Sequence, residues 1–482
     1  MTRDKLLIQG ARIASPSGSE AGDTEAGRYS EGFWDVLVEG SRISAISKRI
    51  DAGRDCELLD ARGMILMPGM IDSHVHMWEA IFRGRTVDSW GNDYYNLVPP
   101  LASFVTPDDA YAATYLAAME YLQNGVTAVR NYSHGLLTSE HADAEVPALR
   151  EAGIRAEFCY ELHDRRPDYA ADLRSRAGRL KDAERVQRQI AGDPLLLFGV
   201  GLSEFAIDDI APAKEEIELA RRLGGLISFH NNVAGEIRAL EEAGLLGPDV
   251  LAVHGNFNDD DDWRALARSG GFLSFQPQVE MYSGRRSLDM VARAHLAGVK
   301  LCIGIDVPTL TNLGLLTEMR VLHLLQRYLD GVAERSSGRG MPVIRRRNVP
   351  LLPSSEILRI ATWNAAASMG KGESLGRVAV GQEADLVLID PGPWGLAEGD
   401  PGRHVLMCSS YADIDTVIVA GTIKKRDGAL VGVDLDRLAR LQESTYRGIM
   451  ERAHGGLEET VAAHWAHKRT SPVGRNLKTA RL

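Results

Sequence analysis

From residue 64 onward, short apolar runs alternate with longer segments whose apolar positions recur at helical spacing. The runs end near His74, Asn131, Tyr160, Ser203, His230, His254, Phe275 and Ile305. A strand buried on both faces reads as a continuous apolar run, whereas a surface helix shows an apolar stripe every three or four residues. The alternation therefore predicts parallel βα units. Thr106-Pro107-Asp108-Asp109 opens one helix with a cap residue, a proline at the first helical position and acids in the first turn, and Gly125 closes it. Further helices are predicted over 140–152, 167–190, 213–223, 235–243, 259–268, 287–297 and 313–329. Eight strands, each followed by a helix, is the count of a closed (β/α)8 barrel.

Outside that region the rhythm is shorter. Leu6-Leu7-Ile8, Asp35-Val36-Leu37-Val38 and Ile43-Ser44-Ala45-Ile46 read as strands, with Gly40-Ser41 as a turn between the last two. Ala384-Asp385-Leu386-Val387-Leu388-Ile389 and Thr416-Val417-Ile418-Val419 repeat the pattern near the end, punctuated by Gly421 and Asp427-Gly428. The expected organisation is α/β: a small β-sandwich domain built from 1–66 and 371–432, split by a barrel over 67–370, with a helical tail over 433–482. Residues 15–32 read as an exposed loop. Residues 331–347, with Arg345-Arg346-Arg347 in a row, read as a solvated loop or an anion-binding lid.

The 482 residues are 44% hydrophobic and 25% charged, an ordinary globular balance. A net charge of −11 argues against non-specific nucleic-acid binding. Cys56, Cys159, Cys302 and Cys408 are scattered without CxxC spacing, which fits a reducing cytoplasm rather than a disulfide frame. Met1-Thr2-Arg3-Asp4-Lys5 does not read as a signal peptide, and no run of about 18 apolar residues predicts a membrane span.

The chemistry sits at the ends of the predicted strands. After Met67-Pro68-Gly69-Met70-Ile71-Asp72-Ser73, a strand delivers His74 and His76, and residues i and i+2 of a strand share a face. Ile227-Ser228-Phe229-His230 closes strand 5, Leu251-Ala252-Val253-His254 strand 6, and Leu301-Cys302-Ile303-Gly304-Ile305-Asp306 strand 8. Barrel active sites lie at C-terminal strand ends, and His/Asp donors with an open position make a catalytic metal site.

Here the chain resembles the amidohydrolase superfamily, through Pro68-Gly69-Met70-Ile71-Asp72-Ser73-His74-Val75-His76, His230, His254, Asp306 and the return Ser374-Leu375-Gly376-Arg377-Val378-Ala379-Val380-Gly381-Gln382-Glu383-Ala384-Asp385-Leu386-Val387. It is most similar to the single-metal branch of cytosine-deaminase-like, S-adenosylhomocysteine-deaminase-like and triazine-chlorohydrolase-like enzymes, a branch that Arg83-Gly84 also fits. No lysine stands at the strand 4 end, 199–204, so a carbamylated lysine bridging two metals is not expected. The resemblance implies one Zn²⁺ or Fe²⁺ held by His74, His76, His230 and Asp306, with His254 beside it.

The chain departs from that branch twice. The branch carries a glutamate three residues after the strand 5 histidine, where this chain has Val233; Glu236, further along, is either a proton carrier or a helix-start acid. The branch has His-x-Pro-x-x-Asn at strand 7, where this chain has Phe275-Gln276-Pro277-Gln278-Val279-Glu280. Asp306 is then the expected base and His254 the polarising group, with Glu280, His134 and Glu79 in reserve. In the loop after strand 1, Trp78, Trp90, Tyr94 and Tyr95 either stack on a flat substrate or pack the loop. Expected substrate contacts are Trp78, Glu79, Arg83, Trp90, Tyr94, His134 and His163. The expected protein is a cytoplasmic hydrolase, a homodimer with a small-molecule substrate and no nucleic acid or membrane partner. It would act on an amide, amidine or amino- or halo-substituted ring by attack of metal-bound hydroxide. A non-hydrolytic metal enzyme (decarboxylase, lyase or cyclase) and a metal-free scaffold are the alternatives.

Overall fold

A computed structural model describes residues 5–16, 31–53, 55–89, 93–163, 168–284, 288–336, 351–395 and 399–470. Along the chain the strands are β1 (Lys5–Ile13), β2 (Trp34–Glu39), β3 (Arg42–Ser47), β4 (Glu57–Asp60) and β5 (Ile65–Pro68). Then come β6 (Met70–Val75), β7 (Val126–Ser133), β8 (Arg155–Glu161), β9 (Leu196–Gly201), β10 (Leu226–Asn231), β11 (Val250–His254), β12 (Phe272–Phe275) and β13 (Lys300–Ile303). Last are β14 (Leu386–Ile389), β15 (Ile414–Val419), β16 (Thr422–Arg426) and β17 (Ala429–Leu430).

Strands β6 to β13 form one eight-stranded sheet in sequential order, with helices between them, and this is the expected parallel barrel. β6, β7, β8, β11 and β12 are buried at every position, so that even Asp72, Arg130, Asn131 and Glu157 are held out of water. The ring closes through a parallel bridge between Val75 and Asp306. There the Asp306 N–H donates to the His74 carbonyl and the His76 N–H to the Asp306 carbonyl, both at 2.9 Å. Closure of the barrel therefore runs through the backbone of three residues that carry the expected chemistry.

The other nine strands form a sheet in the order β17-β16-β15-β14-β5-β1-β2-β3, with β4 paired to β1, so the first and last parts of the chain do share one small β structure. Its core includes Leu6, Ile8, Val36, Val38, Ile43, Leu66, Leu386, Leu388 and Ile418. Glycine is required between β5 and β6, because a Cβ on Gly69 would lie 2.0 Å from Thr127 Oγ1.

The chain divides into two compact units. One comprises Met1–Asp72, Tyr121–Ala128 and Gly314–Gly432; the other Ser73–Glu120, Val129–Leu313 and Val433–Leu482. In the second, Ile449 of the helix Leu435–Ala453 joins an apolar cluster with Trp78, Phe82, Val98 and Leu101.

Several boundaries differ from expectation. The helix predicted over 167–190 is Arg176–Ile190 only. Before it, Tyr169 and Leu173 turn aside to pack on Leu137, and Ser175 caps the helix by accepting from the Gly178 N–H at 3.0 Å. The helix predicted over 313–329 runs from Leu315 to Ser336, so 331–336 are helical rather than loop, while Arg345, Arg346 and Arg347 lie outside the described residues. β9 and β13 stop at Gly201 and Ile303, two residues before the expected ends. Among the described residues, no helix is long and apolar enough to cross a membrane.

Candidate metal centre

His74 on β6 and His76 just after its end converge, their ring centroids 4.9 Å apart and their planes 83° apart. Asp306 Oδ1 lies 3.3 Å from His74 Nε2 and 3.2 Å from His76 Nε2. The His230 ring, next to last on β10, stands 5.0 Å from that of His74 and 5.4 Å from that of His76. One donor atom from each of His74, His76, His230 and Asp306 lies within 4.8 Å of all the others.

His254 completes the cluster from the end of β11. Its Nε2 is 3.8 Å from Asp306 Oδ2, and its ring stacks 5.6 Å from that of His230. His254 (φ 72) and Asp306 (φ 65) both adopt the left-handed region. Holding such residues costs about 1–3 kcal/mol each, and here the cost turns two side chains toward one point.

Burial sets the protonation of the cluster. It lowers His74 to about 3 against the pull of Asp306, and drives His230 well below the usual imidazole value, helped by the other histidines. Both rings are thus neutral, with lone pairs to offer. At His76 burial is outweighed by the hydrogen bond to Asp306 and the fields of Glu79 and Asp306, so its value rises to about 9. Burial would raise Asp306, but His254 and hydrogen bonds from His74 and His76 hold it well below the carboxylate range. His76 Nδ1 lies 2.9 Å from the Tyr132 carbonyl; the N–H it donates there leaves Nε2 facing Asp306, the outer-shell orientation common for metal-binding imidazoles. Three imidazoles, that of His230 partly exposed, and one ionised carboxylate are a donor set that fits Zn²⁺ or Fe²⁺, which would displace the proton that His76 holds toward Asp306.

The segment after β6 builds one wall. The Trp78 indole N–H donates to His134 Nδ1 at 2.8 Å, so the remaining ring proton of His134 sits on Nε2, 3.5 Å from Glu79 Oε1. The Tyr94 hydroxyl donates to the same Glu79 oxygen at 2.6 Å. The His134 ring stacks on His76 at 3.9 Å with planes 4° apart. Burial lifts Glu79 to about 8, against the charge of His76 and the Tyr94 bond. Glu79, Tyr94 and His134 are thus coupled to the cluster. Trp78 is 2% exposed and sits in the apolar cluster beneath the loop, the packing alternative of the two read from the sequence. Arg83 forms an ion pair with Glu120 instead of reaching the cluster. Trp90 lies outside the described residues.

On the opposite side, a small cavity borders His230 and is lined by Glu161, His163, Ser203, Glu204, Phe229 and Glu236. That places His163 at the site. Glu236 is the first residue of the helix Glu236–Glu242, and its Oε2 accepts from Asn231 Nδ2 at 2.8 Å and the Val233 N–H at 3.1 Å. The helix-start reading is the geometry observed. Tyr132 is not among the expected site residues. Its ring is fully buried among His74, His76 and His230, 5.0, 5.6 and 4.6 Å from them. The strand period was the available signal, since Tyr132 follows the outward Asn131 on β7.

Residues 65–424 match the model of the amidohydrolase family. The chain is similar to a 5'-deoxyadenosine deaminase of Methanothermobacter thermautotrophicus, 25% identical over 469 residues that cover 92% of this chain and 98% of that one. Among solved structures it is similar to an adenosine deaminase from Xanthomonas campestris with bound zinc, with a TM-score of 0.76, 20% identity and coverage of 92% and 98%. It also resembles the atrazine chlorohydrolase from Arthrobacter aurescens complexed with zinc, with a TM-score of 0.72, 18% identity and coverage of 92% and 100%.

Proposed function

The chain belongs to the amidohydrolase family and is a hydrolase of carbon–nitrogen bonds other than peptide bonds, and we propose that it removes an amino substituent from a small heteroaromatic ring. The observation that carries this reading is the convergence of His74, His76, His230 and Asp306, with His254 alongside, at one end of the barrel. We assign those four residues as the ligands of one divalent ion, and zinc as the ion, with ferrous iron fitting the same donors. Such an ion, when bound, lowers the pKa of water toward 7 and polarises an electrophile.

The chain's own residues supply the rest. Asp306, held ionised, takes the proton from the attacking water and passes it to the departing nitrogen, so that a C–O bond forms as the C–N bond breaks and ammonia leaves. His254 orients the attacking oxygen from the other side of Asp306. Glu79, Tyr94, His134 and His163 line the walls and bind the ring. A second reading has one observation in its favour: Val233 puts no carboxyl group three residues after His230, so a non-hydrolytic reaction on the same ring of donors is its competitor.

The test is zinc-loaded protein with 5'-deoxyadenosine and an amino-s-triazine as probes in H₂¹⁸O, following ammonia and isotope in the product. Ammonia release with one solvent oxygen per product supports the proposal. Chloride release from a chlorotriazine would move the leaving group from nitrogen to halogen. Turnover without solvent oxygen would favour the second reading.

A further inference from the structure

We propose that Glu280 is a positioning residue that fixes the tautomer and ring orientation of His254. The proposal rests on the reading of His254 as a group beside the reacting atoms. Glu280 Oε1 lies 2.7 Å from His254 Nδ1, and both side chains are buried, Glu280 completely. A carboxylate oxygen only accepts, so the His254 proton sits on Nδ1. Nε2 is left with a lone pair, and it is this nitrogen that faces Asp306 Oδ2 at 3.8 Å.

The two residues come from different βα loops, and each is held on its own account. His254 ends β11 in the left-handed conformation. Glu280 lies in the first turn of the helix Pro277–Ser283, where its N–H donates to the Gln276 carbonyl at 2.9 Å. Its second oxygen, Oε2, is buried without a hydrogen-bond partner. A buried carboxylate with a single partner is an expensive way to fill space, since an apolar side chain of similar volume avoids the desolvation penalty. What the carboxylate does that an apolar side chain does not is choose which His254 nitrogen carries the proton. The arrangement is the nucleophile–base–orienter logic of hydrolases, with the orienter on the far side of the imidazole.

The experiment is long-range ¹⁵N–¹H NMR of ¹⁵N-histidine-labelled, zinc-loaded protein, with His254 assigned through His254→Asn. Wild type, Glu280→Gln, Glu280→Asp and Glu280→Met are compared. The wild type is expected to show His254 protonated on Nδ1. Glu280→Gln keeps that form, because the unengaged side of the amide lets its oxygen turn toward Nδ1. Glu280→Met lacks the acceptor and Glu280→Asp draws it back by about one C–C bond, so both shift His254 toward Nε2–H. With a turned-over probe, Glu280→Met lowers kcat about 10–100-fold with KM within about threefold, and Glu280→Gln recovers most of that loss. A wild-type tautomer in both Glu280→Asp and Glu280→Met overturns the proposal, and Glu280→Asp alone suffices if Glu280→Met does not fold. Because the NMR reads the pair directly, an Nδ1–H His254 in a protein that turns over no probe would sink the proposed reaction and leave the pairing standing.

Discussion

Replacing Asp306 by asparagine removes the only carboxylate of the four proposed donors while sparing the backbone. Asparagine tolerates the left-handed region that Asp306 occupies at φ 65. The hydrogen bonds that close the barrel there use main-chain atoms only, 2.9 Å each, and survive the exchange. What is lost is the charge that sits 3.3 and 3.2 Å from the nitrogens of His74 and His76. Four-ligand zinc sites bind with about 10–16 kcal/mol at pH 7, so one donor in four accounts for about 2.5–4 kcal/mol, or roughly 10²–10³ in affinity. The assay strips the protein with chelator, confirms the fold by circular dichroism, and titrates Zn²⁺ back against a chromophoric competitor, with plasma mass spectrometry for stoichiometry. Asp306→Asn should keep the wild-type spectrum and bind zinc roughly 10²–10³-fold more weakly. Binding within about threefold of wild type would mean that Asp306 is not a ligand, and near-full turnover with the ion in place that it is not the base.

Two further predictions concern buried acids away from the metal donors. Glu145 accepts from Asn131 and Ser133 at the end of β7, and burial raises it from 4.5 to about 7. The folded state therefore holds a proton that the unfolded state releases, and the stability it contributes is full below pH 4.5 and lost as pH rises through 7. At 1.36 kcal/mol per pH unit that gap is worth about 3 kcal/mol; urea unfolding of Glu145→Gln should lose about that much of the wild-type decline between pH 4.5 and 8, and an unchanged decline would refute the assignment. Glu157 pairs with Arg130 at 2.7 Å inside the barrel, with both side chains fully buried. Glu157→Gln removes the counter-charge that Glu157 gives the guanidinium and should destabilise by about 3 kcal/mol in urea; a loss under about 1 kcal/mol would mean other partners carry it.

The parts of this protein that were legible in its sequence are those set by local period. β6, β10 and β11 announce themselves as short, largely apolar segments with a histidine last or next to last, and a barrel brings such ends to one ring whatever the intervening helices do. The less legible parts are decided by contacts between segments distant in sequence. The turn before Arg176 depends on Leu137 accepting Tyr169 and Leu173, and Trp78 is covered by the cluster that Ile449 joins, 371 residues further on. β4 and β17 are too short, four and two residues, for any period to show. The same division runs through the site. Its proposed metal donors sit on strand ends and at the closure of the ring, whereas Glu79, Glu236 and Glu280 lie in loops and first helical turns, where partners are chosen by tertiary packing. Glu280 shows the consequence. As a letter in Gln276-Pro277-Gln278-Val279-Glu280 it is a helix-start acid like Glu236, yet one folds onto its own loop and the other crosses to His254. The proposed ion-holding residues are thus readable from strand register, while the partner of His254 shows only in the packed structure. A barrel can therefore keep one ring of donors while its proton route moves from loop to loop. In this chain, which has Val233 three residues after His230, the proton is proposed to travel by Asp306 on the ring itself, with Glu280 orienting His254 from a neighbouring loop.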